Sequence, residues 1–148
     1  MVWYLALRLS SLFGIVSMPT QSAYNAAKFA VRGFTESLRQ ELEISRSNVS
    51  CTCVHPGGIK TNIARNARMN DVSAITGTTP EKAIADFERL FRTTADEAAA
   101  TILKGVLKNK RRVLIGNDAK AIDAMQRLMP TFYQRIVVDG QRMMRKFS

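Results

Sequence analysis

The stretch Ser10-Ser11-Leu12-Phe13-Gly14-Ile15-Val16-Ser17-Met18-Pro19-Thr20-Gln21-Ser22-Ala23-Tyr24-Asn25-Ala26-Ala27-Lys28 lies almost at the start of the chain and decides how the rest is read. Before it, residues 2–9 (Val-Trp-Tyr-Leu-Ala-Leu-Arg-Leu) read as a short buried strand that ends at the serine pair. Gly14 and Pro19 punctuate a loop. From about Thr20 to Glu43 the pattern turns helical. Ala26, Ala30, Phe34, Leu38 and Leu42 recur at intervals of four, with Gly33 on the same stripe. Small residues there would let another element approach closely.

Tyr24 and Lys28 are four apart, so both side chains project from one face of this helix. A free tyrosine titrates near pH ~10. An ammonium one turn away favours the phenolate, which makes the pair a general acid/base able to protonate an alkoxide or deprotonate an alcohol. Ser11, at the strand end, can hydrogen-bond the same substrate oxygen while charge develops on it. As a spacing alone, Tyr-x-x-x-Lys is a weak signal, and on most helices that bear it the pair is an amphipathic surface pair.

Outward from this stretch, Asn48 precedes a second strand, Val49 to His55, apolar on both faces as a strand covered on two sides would be. Pro56-Gly57-Gly58 stops it. Small and polar residues run from Thr61 to Thr79, with a short helix expected near residues 62–69. A helix follows from Pro80 to about Arg92, then another capped by Thr94 with Glu97 three residues on, a capping box, to about Lys108. Arg112 to Ile115 is a strand, and Gly116-Asn117-Asp118 a turn. A helix runs from Asp118 to about Met129, and a last basic helical segment ends at Lys146. Strand, helix, strand, helices, strand, helix predicts an α/β fold: about three parallel strands joined by right-handed crossovers, with one sheet edge bare.

The 148 residues suit one domain, and 46% hydrophobic with 23% charged residues excludes global disorder. The net charge of +10 suits an anionic partner, but its densest run, Lys104, Lys108, Lys110, Arg111 and Arg112, falls at a helix end and has no aromatic residues interleaved. A solvated face is the better reading, and a nucleic-acid module the lesser one. Cys51 and Cys53 point to the same strand face, a poor geometry for a mutual disulfide, and two thiols with one histidine make no metal site. No apolar run reaches membrane-spanning length, and Arg8 interrupts the run that would imitate a signal peptide. The expectation is a cytoplasmic protein with no membrane association. His55 is read as a packed, hydrogen-bonded residue rather than a base.

Ser10-Ser11-x-x-Gly14, Tyr24-Asn25-Ala26-Ala27-Lys28-Phe29-Ala30-Val31, Gly33-Phe34-Thr35-Glu36-Ser37-Leu38-Arg39-Gln40-Glu41-Leu42 and Val54-His55-Pro56-Gly57-Gly58-Ile59-Lys60-Thr61 occur in this order. Together they resemble the short-chain dehydrogenase/reductase family, most specifically from Ser10 to about Ile63. The resemblance implies a Rossmann-like doubly wound sheet and hydride transfer between an alcohol or carbonyl substrate and NAD or NADP. It implies that Ser11 positions the substrate oxygen, that Tyr24 is the acid/base, and that Lys28 lowers the tyrosine pKa and bonds the nicotinamide ribose. It implies too that Pro56, Gly57, Ile59 and Thr61 meet the nicotinamide end, Thr61 at the carboxamide. A homo-oligomer is expected. The strand-end position of Pro56-Gly57 independently suits a ligand site in an open α/β sheet.

The family's glycine-rich turn, its Asn-Asn-Ala-Gly segment and its helix-borne Asn are not in this sequence, and Arg8 stands where an Asn is usual. The reading is therefore a single partial domain over 1–148: the C-terminal portion only, with the cofactor-binding N-terminal half absent. Two alternatives remain beside the enzyme: an inactive fragment or dimerising scaffold, and the nucleic-acid module.

Overall fold

In the computed structural model, three strands and five helices among the described residues follow one another in the order expected. The structure describes residues 4–63, 66, 75, 77 and 79–146. The elements are β1 (Tyr4–Leu9), α1 (Ser22–Ile44), β2 (Val49–Pro56), α2 (Pro80–Leu90), α3 (Ala95–Leu107), β3 (Arg112–Ile115), α4 (Asn117–Leu128) and α5 (Tyr133–Lys146), with a single 3-10 turn at Leu12–Gly14. Residues 62, 63 and 66 form turns, while the rest of the helix expected near 62–69 and residues 2–3 of the first strand lie outside the described residues.

The sheet is parallel throughout, in the order β1-β2-β3. Its centre is β2, whose Cys51, Cys53, Val54 and His55 are fully buried. Side chains alternate between the two faces of a strand, and the packing follows that alternation. Val54, Val113 and Ile115 meet Ala98 of α3 on one face. On the other, Leu114, together with Ile122 and Met125 of α4 and Val137 of α5, packs against a cluster of Ile15, Val16 and Tyr133. Arg112, also on that face, is ion-paired with Glu36 of α1 and Asp123 of α4.

The helices therefore form layers on both sides of the sheet, α1 and α3 on opposite faces. Strand order advances in one direction from β1 to β3, so crossovers on opposite faces have opposite hands. One of the two departs from the right-handed rule that the sequence reading applied to both. The link from β2 to β3 is long and carries α2 and α3, so it is free to reach the far face.

Two further expectations are corrected. The first strand is not buried: Tyr4, Leu5, Leu7 and Leu9 are 69%, 40%, 41% and 52% exposed. It is the edge strand, with one neighbour, and α1 leans chiefly on β2. Nor does the apolar stripe of α1 face the core. Ala26, Ala30, Gly33 and Phe34 are exposed, while the helix buries Asn25, Thr35 and Arg39. The predicted capping box is present: Thr94 Oγ1 accepts the Glu97 N–H at 3.2 Å, and Glu97 Oε2 accepts the Thr94 N–H at 2.8 Å. Thr79 caps α2, with Pro80 in its first turn.

Candidate active site

The serine pair ends β1 and anchors it on both sides. Ser10 donates its N–H to the Val54 carbonyl and its hydroxyl to the Lys28 carbonyl, each at 2.9 Å. Ser11 has extended backbone, and its Oγ accepts the Phe13 N–H at 3.2 Å, capping the 3-10 turn. A Cβ at Gly14 would lie 2.3 Å from Ser10 Oγ and 2.8 Å from the Lys28 oxygen, so glycine lets the turn sit against α1.

Asn25 holds the loop that follows. Its Nδ2 donates to the carbonyls of Phe13 and Val16, both at 3.0 Å, and its Oδ1 accepts the Met18 N–H at 3.3 Å. Sequence reasoning missed this residue. Its only signal was a polar side chain on the inward face of a helix, next to the tyrosine.

Tyr24 stands at the start of α1, 40% exposed, with its ring edge-on to Phe13 at 5.9 Å between centroids. Lys28 lies one turn on, its Nζ 5.4 Å from the centre of the tyrosine ring and 3.2 Å from the Leu9 carbonyl, to which it donates. The end of β1 and the first turns of α1 thus bring Ser11, Phe13, Tyr24 and Lys28 into one chain of contacts.

The neighbouring strand ends at the same edge of the sheet. Gly57 donates its N–H to the Ile115 carbonyl at 2.9 Å, and Gly58 donates to Asp118 Oδ2 at 2.7 Å. A Cβ on Gly57 would lie 2.2 Å from that carboxylate, and one on Gly58 would lie 2.5 Å from the Phe91 ring. The two glycines are thus required by Asp118 and Phe91. Asp118, in the first turn of α4, is a second residue the sequence reading passed over. Ile59 bridges to Thr93, and Thr61 Oγ1 is exposed, 3.5 Å from the Ile59 oxygen.

His55 links the two strand ends: its Nδ1 lies 2.9 Å from the Ser11 oxygen, to which it donates. The ring is fully buried, and burial pushes its pKa below the ordinary value although the Ser11 bond opposes this. It is positioned as a structural tie. An open cavity of about 350 Å³ lies away from these residues, beside Arg39 and Arg112, and another of about 360 Å³ adjoins them, lined by Ser17, Met18, Ser22, Asn25, Ala26 and Phe29.

Residues 6–71 match the family model for short chain dehydrogenases. This stretch is similar to the short-chain dehydrogenase/reductase family. SadH of Mycobacterium tuberculosis, named as an oxidoreductase, is 51% identical over 134 residues, covering 89% of this chain and 46% of SadH. A solved short-chain dehydrogenase/reductase from Burkholderia phymatum in complex with NAD superimposes with a TM-score of 0.72 at 18% identity, over 88% of this chain and 49% of that one. Another from Burkholderia cenocepacia, in complex with NADP, gives 0.66 at 20% identity over 90% and 47%. At these identities the two structures establish the fold.

The chain spans about half the length of these relatives. Ser11, Tyr24, Lys28, Pro56, Gly57, Ile59 and Thr61 all lie inside the short-chain dehydrogenase match. That match occupies the N-terminal part of this chain, so it gives no support to reading the chain as a C-terminal portion only. Whether a nicotinamide cofactor suits these residues turns on donors. An ammonium has three, and the Leu9 carbonyl takes one from Lys28, which leaves donors for ribose hydroxyls. The residues present thus fit the nicotinamide end, while the glycine-rich turn for the pyrophosphate is not in this sequence.

Proposed function

We propose that this chain carries the proton-handling end of an NAD- or NADP-dependent oxidoreductase that interconverts an alcohol and a carbonyl. The observation that carries the reading is the placement of Tyr24 and Lys28 one helical turn apart against the end of β1, with Lys28 Nζ 5.4 Å from the Tyr24 ring centre and pinned to the carbonyl of Leu9, two residues before Ser11. Ser11 Oγ offers a hydrogen bond to the substrate oxygen and holds it toward Tyr24. The Tyr24 hydroxyl gives its proton to that oxygen in reduction and takes it back in oxidation. Lys28 steadies the negative charge left on the tyrosine and offers its remaining donors to the ribose. When bound, the cofactor supplies or accepts the hydride at the carbinol carbon. Pro56, Gly57, Ile59 and Thr61 would border its nicotinamide end, with the Thr61 hydroxyl free to meet the carboxamide.

The test is Tyr24→Phe in protein that binds the cofactor, whether as this chain or joined to a segment that supplies the glycine-rich turn. The ring contact with Phe13 survives this change, so the fold should too, while kcat should drop at least about 100-fold. Unchanged turnover would overturn the assignment. The 148 residues alone offer contacts to the nicotinamide end only, so calorimetry of this chain should show no micromolar binding of NAD or NADP. Micromolar binding would overturn that part. Self-association belongs to the same reading, through the exposed small-residue stripe of α1, where a Cβ added at Gly33 would meet no atom within 4 Å.

A further inference from the structure

Helix α5 has two apolar sides, and the core uses one of them. Tyr133 and Val137 turn inward onto Ile15 and Val16, and Tyr133 Oη accepts the Ser17 N–H at 3.1 Å. On the adjoining side, Phe132 at the helix start, Ile136 and Met143 are 52%, 45% and 62% exposed. At the ~100° per residue of an α-helix, these three fall within about 40° of one another. Leu128, at the end of α4, is 81% exposed four residues earlier.

Cations border this stripe. From residue 127 to the C-terminus the sequence holds Arg127, Arg135, Arg142, Arg145 and Lys146 against a single acid, Asp139. Arg135 and Arg142 lie about 80–100° round the helix from the stripe, both exposed. Arg142 has Asp139 at 3.8 Å, and Arg127 is held by Asp123 at 2.8 Å. Val138, also exposed, lies beyond the arginines on the side away from the stripe.

We propose that α5 is an interfacial anchor. It lays Leu128, Phe132, Ile136 and Met143 into the headgroup boundary of a bilayer that contains anionic lipids, with Arg135 and Arg142 against the lipid phosphates. Charge complementarity selects this occupant. Four partly exposed side chains offer on the order of 400 Å² of apolar surface, about half of what one partner contributes to a stable protein interface. An interfacial helix needs only an apolar side flanked by cations. Lying on a membrane differs from crossing one: among the described residues no helix is long and apolar enough to cross. The sequence expectation of no membrane association rested on spanning length and on the interrupted N-terminal apolar run, neither of which bears on a helix that lies in the interface.

The experiment is co-sedimentation of the chain with vesicles of phosphatidylcholine, alone or mixed with phosphatidylglycerol. Binding to the mixed vesicles should be at least about tenfold tighter than to neutral ones and should weaken as salt is raised. Ile136→Ser with Met143→Ser, and separately Arg135→Glu with Arg142→Glu, should each weaken it at least about tenfold. All four positions are exposed, so circular dichroism and the thermal midpoint should stay unchanged. Absence of binding to mixed vesicles overturns the proposal, as does binding that neither variant alters. So does a concentration-dependent dimer that the serine variant dissolves while vesicles are ignored, since that makes the face a protein contact.

Discussion

His55 Nδ1 sits 2.9 Å from the main-chain oxygen of Ser11, so a buried imidazole ties the end of β2 to the end of β1 beside the candidate serine. Its Nε2 meets no partner among the described residues, and desolvation holds the ring's pKa below the ordinary 6.5. Between the ordinary and the lowered value, the unfolded chain binds a proton that the folded chain does not. Stability should therefore fall as pH drops below about 6.5 and level off once the folded value is passed. His55→Asn keeps a donor for the Ser11 oxygen but does not titrate. Urea midpoints measured from pH ~7 to pH ~5 should slope in the wild type and lie flatter in the variant. At lower pH both should lose stability. Burial raises the Glu36 carboxyl, but Arg112 and Arg32 outweigh that and hold it below its ordinary 4.5. Equal slopes between pH ~7 and ~5 would show that His55 is not the titrating group.

Asn25 makes three hydrogen bonds to the main chain of residues 13–18, so its removal strands two carbonyls and one N–H. Each buried polar group left without a partner costs about 1–3 kcal/mol, and part of this loop can reach water. Asn25→Ala should lower unfolding free energy by about 3 kcal/mol in urea titrations. Asn25→Asp should cost nearly as much, because it loses both donors and keeps only the acceptor for Met18. A loss under about 1 kcal/mol would mean that the loop holds its shape without this clamp.

How much of this was legible beforehand depended on how local each signal was. Thr94 and Glu97 are three residues apart, so the capping box could be read from spacing. Pro56-Gly57-Gly58 could likewise be read as a strand end. Asp118, which requires the first of those glycines and accepts the N–H of the second, is sixty residues from Gly58 and left no trace in any local pattern. The buried side of α1 was hidden for a different reason. Asn25, Thr35 and Arg39 are polar, and their burial is supported by carbonyls that periodicity does not register. For the same reason the apolar residues of β1 suggested burial, although hydropathy reports affinity for a core and not whether a neighbour covers the strand. Ser11, Tyr24 and Lys28 were singled out by the family resemblance of the residues around them, since the Tyr-x-x-x-Lys spacing by itself fits a surface pair. That Lys28 reaches both the Tyr24 ring and the Leu9 carbonyl needs only one strand end and one helix turn.

Arg39 and Glu43 pair at 2.9 Å, yet the two residues should differ sharply in their effect on stability. Arg39 is buried, and its guanidinium also donates to the Cys51 carbonyl at 2.8 Å and the Asn109 carbonyl at 3.2 Å. Arg39→Met leaves both carbonyls without a donor and should cost roughly 2–4 kcal/mol. Arg39→Lys recovers one bond at most, since an ammonium cannot reproduce the planar fork. Glu43 is half exposed, and its pairs with Arg39 and Arg111 are screened by water. Glu43→Gln should change stability far less than Arg39→Met does. Comparable losses for Arg39→Met and Glu43→Gln would place the stabilisation in the ion pair and not in the carbonyl bonds.

Two helical glycines should respond to alanine with opposite signs. Gly33 lies on the exposed side of α1 with nothing within 4 Å of an added Cβ. Gly33→Ala therefore gains helix propensity unopposed and should stabilise the monomer by up to about 1 kcal/mol. Gly105 of α3 faces the sheet, where an added Cβ would lie 2.3 Å from Val113 Cγ2. Overpacking of that kind costs about 1–3 kcal/mol, more than the propensity gain. Gly105→Ala should thus destabilise, and combining it with Val113→Ala should be less harmful than the sum of the two by about 1 kcal/mol or more. The double-variant cycle separates a clash with Val113 from a general effect on the helix, because only the clash disappears when the valine is trimmed. Strict additivity would show that α3 and β3 shift apart instead, relieving the contact without help from the valine.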